Sequence, residues 1–315
     1  KVLHHFISRA YRRRVPQAEV ERLLGFVKLG FEEGGKYAFE KGIKLACQAV
    51  LVSPFFLYRG EVQESPDDPD TVSRIDDYAL ASRLSYFIWS SMPDDELFLQ
   101  ASLGTLRKNI ASQAIRMLKD PKARALTKNF AGQWLQLRNM ELVSPDPDEF
   151  REFDGKLRQS MRMETEALFE HIMRNDLPLT EFLDADYSFI NARLARHYDI
   201  KGVSGDALKK VSLKGTRRRG ILTHGSILTI TSNPTRTSPV KRGKWILDNI
   251  LGTPPPEPPK NVPALTPDIR GATTPKEMLA AHMADQACAR CHSRIDPIGF
   301  ILENCSMDLI IGSNS

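Results

Sequence analysis

The stretch "FREFDGKLRQSMRMETEALFEHIM", residues 150–173, decides the fold. Its apolar residues Phe150, Phe153, Leu157, Met161, Leu168, Phe169 and Ile172 recur at spacings of three and four. That period draws a single stripe along an amphipathic helix of about 25 residues. The acidic residues Glu164, Glu166 and Glu170 read as its solvated side. His171 follows Glu170 directly, so the pair lacks the Glu-x-x-His spacing with which helical bundles build metal sites.

The same period extends in both directions. "DDYALASRLSYFIW" (76–89) offers Asp76 as an N-cap before Leu80, Leu84, Phe87 and Ile88, and Pro93 with the acidic residues after it opens another helix. Further helices are predicted over 17–33, 36–52, 105–119, 121–138, 191–198, 220–230, 238–251 and 275–290. Alternating pattern is confined to "KKVSL" (209–213), so the chain reads as all-α, a multi-helical body. The body gives way at "TPPPEPPKNVPALTP" (253–267), where seven of fifteen residues are proline. That density excludes helix and favours an extended arm of about 3 Å per residue leading to a terminal segment.

Composition narrows the class. With 315 residues, 41% hydrophobic and 26% charged, the chain matches a soluble globular protein with one large core or two ordinary ones. No apolar run reaches the roughly 18 residues that a bilayer requires, so the chain does not read as membrane-spanning. The basic clusters Arg12–Arg14 and Arg217–Arg219, within a net charge of +5, read as solvated faces. Without interleaved aromatics or a reading motif, nucleic acid is not an expected partner. Four cysteines are too few for a disulfide scaffold, and Cys47 reads as a small core residue.

Two of the other cysteines stand in "CARCH" (288–292). On a helical turn, Cys288 and Cys291 place two sulfurs on one edge, able to form thioethers with a haem, while His292 turns onto the iron. In this reading the second ring nitrogen of His292 donates to a carbonyl of the turn "DPIG" (296–299), fixed by Pro297. Zinc is an alternative, with Cys288 and Cys291 completed by His292, Cys305 or His282. A dithiol redox pair is another, though no βαβ pattern accompanies it. A haem at this site needs either a sixth ligand, for which Met307 and His224 are the candidates, or an open iron with oxidoreductase or peroxidase-like chemistry. In "NPTRTSPVKRGKW" (233–245), Arg236, Lys241, Arg242 and Trp245 suit the propionates and edge of a haem. The bland reading of that loop is a helix start at Ser238 and Pro239 with exposed cations.

The segments "LVSPFFLYRGE", "ALASRLSYFIWSSMPDDEL", "NFAGQWLQLRNM", "DYSFINARLARHYDI", "GILTHGSILTITSNPTRTSPVKRGKWILDNILGTPPPEPP" and "CARCHSRIDPIGFILEN" carry a resemblance. Through them the chain resembles the planctomycete-type multidomain cytochrome c proteins. The resemblance implies an N-terminal helical module (1–65), a central helical module (74–203) and a cytochrome-c-like module (210–315) containing the Pro-rich arm. It implies haem c, with Cys288 and Cys291 as attachment sites and His292 as proximal ligand. It further implies an exported, extracytoplasmic protein, a redox partner protein, and further modules in a longer chain. It supplies no reaction. After Glu303 such proteins continue with Phe-Asp, a glycine and an aromatic-Arg pair, whereas this chain reads "NCSMDLIIGSNS".

Overall fold

The computed structural model describes residues 1–61, 65, 67–256, 283 and 286–302. Among the described residues the regular elements are helices apart from one two-stranded sheet, the all-α class that the periodicity predicts. They pack as two compact units, Lys1–Leu126 and Thr127–Ser315.

In the first unit, α1 (Val2–Tyr11), α2 (Gln17–Glu32) and α3 (Ala38–Leu51) bury Ile7, Tyr11, Val15, Val20, Leu23 and Val50 against one another. The basic cluster here is not uniformly solvated. Arg12 is 8% exposed. Its guanidinium donates to the carbonyls of Phe55, Phe56 and Tyr58 at 2.9–3.1 Å, satisfying chain-end acceptors that a short helical turn leaves open. Cys47 is half-buried rather than part of the core. The helices α4 (Asp77–Trp89), α5 (Asp95–Ser102) and α6 (Ile110–Lys119) follow. Asp76 and Asp94 cap the first two of these by accepting from the N–H groups of Ala79 and Leu97.

The predicted helix 121–138 is broken into short α, 3-10 and π turns between Pro121 and Glu141. Gly132 gives its interior weak local propensity, whereas Pro121 stands at the start, where proline is tolerated. The second unit is built on α7 (Gly155–Arg174), capped by Asp154 through the Leu157 N–H at 2.6 Å. Phe150 and Phe153 therefore precede the helix rather than extend its stripe. Strand β1 (Tyr187–Ile190) pairs antiparallel with β2 (Lys209–Ser212), Tyr187 facing Ser212 and Ile190 facing Lys209. Between them lies α8 (Ala192–His197), and after them α9 (Gly225–Ile230) and α10 (Pro239–Asn249). The main core joins Leu168, Phe169 and Ile172 of α7 to Ile227 of α9, Trp245 and Ile246 of α10, and Leu302.

The last described element, α11 (Gln286–Ile301), packs on α10. Glycines set the distance between them. A Cβ at Gly243 would overlap the Ile295 carbonyl, and one at Gly299 would overlap the Pro239 carbonyl. The two helices thus cross backbone to backbone. Most of the Pro-rich arm, with His282, Cys305 and Met307, lies outside the described residues. Among the described residues no helix is long and apolar enough to cross a membrane.

Candidate functional site

On α11 the positions 288, 291, 292, 295, 296, 299 and 302 fall on one helical face. The far end of that face is buried, at Ile295, Asp296, Gly299 and Leu302. The near end, with Cys288, Cys291 and His292, is only half-covered. The structure therefore brings both thiols and the imidazole onto one stripe, and both cysteines are free thiols.

The expected turn at 296–299 is instead helix, with Pro297 inside it and exposed. Proline there removes the N–H that would bond the Ser293 carbonyl, a defect that a solvent-facing position tolerates. The partner of the imidazole changes accordingly. His292 Nδ1 lies 3.0 and 3.1 Å from the two carboxylate oxygens of Asp296, one turn along the same helix. Asp296, 1% exposed, is a residue the sequence reading passed over. Its i,i+4 spacing from His292 was the available signal.

The loop grouped by the sequence divides. Arg236 and Lys241 are exposed, whereas Arg242 is fully buried and Trp245 is 4% exposed, both on α10. Ser238 accepts from the Lys241 N–H at 3.3 Å with Pro239 at the first helical position, so the helix start predicted for this loop is present. The Trp245 indole N–H meets no acceptor among the described residues.

His224 stands at the start of α9 in a second, enclosed polar cluster. Its Nδ1 is 2.8 Å from the Thr165 hydroxyl, which in turn is 2.8 Å from that of Ser226. Its Nε2 faces Ser188 Oγ at 3.5 Å and Glu164 at 3.8 Å. Glu164 is the correction here. It is 1% exposed and accepts from Ser188 at 2.7 Å and from the Tyr198 hydroxyl at 2.6 Å. Only Glu166 and Glu170 behave as surface helix charge, paired with Arg162 and Arg174. Arg218, read as part of a solvated cluster, is 2% exposed, with its guanidinium 3.4 Å from the centre of the Tyr198 ring.

This enclosure shifts two protonation equilibria. Burial, then the neighbouring Glu164, pushes the Tyr198 hydroxyl well above its ordinary value. Burial lowers the His224 imidazole, opposed by Glu164 and aided by Arg218. A histidine held neutral in the fold contributes stability that is complete above its unfolded value of about 6.5 and is lost as pH falls below it. The denaturation midpoint of the protein should therefore fall from pH 7.5 towards 5, with a shallower fall in His224→Gln. Parallel profiles for the two proteins would exclude this source of acid sensitivity.

Among the described residues no group of three or more His, Cys, Asp or Glu side chains converges to hold a metal ion, so the described part of the site gives zinc no ligand set. Comparison with known families matches residues 1–61 to PSD5, a protein of unknown function (DUF1595), 75–200 to PSD4 (DUF1592) and 218–308 to PSCyt3 (DUF1588). Neither the curated proteins nor the solved structures gave a match. Three consecutive modules in this order, the last spanning the Cys-x-x-Cys-His helix, place the chain in the planctomycete-type multidomain cytochrome c proteins.

Proposed function

We propose that the chain is an extracytoplasmic c-type haem protein that transfers electrons. Cys288 and Cys291 hold the haem through thioethers, and His292 is its proximal ligand. One observation carries this reading: both thiols and the imidazole share a single half-covered stripe of α11, with His292 Nδ1 tied to Asp296. With a proton on Nδ1 donated to the carboxylate, the ring carries its lone pair on Nε2, the nitrogen suited to a metal. The cytochrome-type name of the module matched at 218–308 supports the same cofactor. The buried Trp245 N–H, without an acceptor among the described residues, supplies a donor of the kind that a propionate satisfies.

A bound haem supplies reversible one-electron chemistry at iron. The chain's own part is to fix the two attachment points, orient the imidazole, and cover one face with the packed pair α10 and α11. The modules at 1–65 and 74–203 then serve as a docking body for a redox partner protein.

The test is expression together with a haem-attachment apparatus. The wild-type polypeptide should gain the mass of one haem that survives denaturation. Cys288→Ala with Cys291→Ala should abolish that gain while leaving the helical circular-dichroism signal in place. A wild-type chain that emerges without covalent haem would end this reading.

A further inference from the structure

We propose that Asp296 is a positioning residue that lowers the reduction potential of the centre at His292, an inference that rests on the haem reading above. The carboxylate meets Nδ1 with both oxygens, at 3.0 and 3.1 Å, from one turn along the same helix. Its side chain is 2% exposed and that of His292 15%, so little water competes for the contact. In such an enclosed setting a charge-assisted hydrogen bond is stronger than one to a neutral acceptor.

The chemical consequence runs through the ring. Donation of the Nδ1 proton towards a carboxylate raises the basicity of the opposite nitrogen and fixes its orientation. A more basic ligand and a nearby buried negative charge both favour the more highly charged oxidation state of a ligated metal. Ferric iron is thereby stabilised over ferrous, and the potential falls. A backbone carbonyl, the acceptor expected from the sequence, carries no net charge and exerts a smaller pull.

The surrounding packing holds this segment of α11 close against α10. Arg242, fully buried, precedes Gly243 on α10, and Gly243 abuts Ile295, the residue before Asp296. A low-potential centre gives up its electron readily, so the partner that fits it is an acceptor of higher potential.

The experiment uses the haem-loaded full chain. Asp296→Asn should retain covalent haem but show a higher midpoint potential in a spectroelectrochemical titration and a lower iron–histidine stretching frequency in the resonance Raman spectrum of the five-coordinate ferrous form produced by photolysis of its carbon monoxide adduct. Asp296→Glu, which keeps the charge, should move both values back towards wild type. An Asp296→Asn protein with full haem content and an unchanged potential overturns the inference while leaving the haem reading intact. A wild-type chain without covalent haem overturns both. Should Asp296→Asn fail to accumulate, the wild-type stretching frequency decides: a value as low as that of a histidine bonded to a neutral carbonyl overturns the inference, and a raised value supports it.

Discussion

Gly243→Ala and Gly299→Ala are each expected to destabilise the second unit by about 2 kcal/mol. Helix propensity alone would favour alanine by about 1 kcal/mol. Steric overlap opposes it, because each added methyl meets a backbone carbonyl of the facing helix rather than a side chain that can rotate away. Relief requires α10 and α11 to separate, which costs about 3 kcal/mol by the scale of overpacked cores. Overlap wins. Gly25, inside α2 with no atom near its missing Cβ, is the control, and Gly25→Ala should leave stability unchanged or raise it. Urea denaturation followed by circular dichroism measures all three. If the α10 and α11 variants behave like the Gly25 control, the close crossing is not what holds these helices.

Glu164→Ala is expected to cost more, about 3–5 kcal/mol. The carboxylate is the shared acceptor for Ser188 and Tyr198, and both residues are buried. Its removal leaves two buried donors without that acceptor, at about 1–3 kcal/mol each, and opens a cavity as well. Tyr198→Phe removes one donor and leaves the Gly225 N–H without the hydroxyl that accepts from it at 2.7 Å, so about 1–2 kcal/mol is expected. A double-mutant cycle between the two sites should show strong coupling, since both substitutions break one contact. Additive losses would mean that the cluster does not act as a unit.

Much of the fold was legible in periodicity. The predicted stretches 17–33, 36–52 and 238–251 match Gln17–Glu32, Ala38–Leu51 and Pro239–Asn249. Long amphipathic stripes announce themselves because each turn repeats the same burial. The strand Tyr187–Ile190 did not: four residues hold too few alternations to stand out, and pairing with Lys209–Ser212 defines it.

The site was legible only where chemistry requires a fixed local spacing. Two thiols and a histidine within five residues identify themselves, and the helix places them together. The role of Glu164 stayed hidden because residue type was allowed to outweigh position. Between Met161 and Leu168 the apolar stripe skips a turn, and Glu164 and Thr165 occupy the two places that face inward. Their partners Ser188, Tyr198 and His224 come from β1, the residue after α8 and the start of α9, so long-range packing defined the cluster. The carboxylate beside His292 was missed for the opposite reason: a turn was assumed where the helix continues.

The crossing of α10 and α11 also locks the register of the two helices. Gly243 receives Ile295 and Gly299 receives Pro239, an antiparallel pair of notches cut into two rods. Axial slippage by one turn, about 5.4 Å, would bring residues bearing Cβ atoms against those notches and jam the joint. The cysteine-bearing end of α11 is accordingly fixed in height along α10, so two missing methyl groups set the axial position of Cys288, Cys291 and His292.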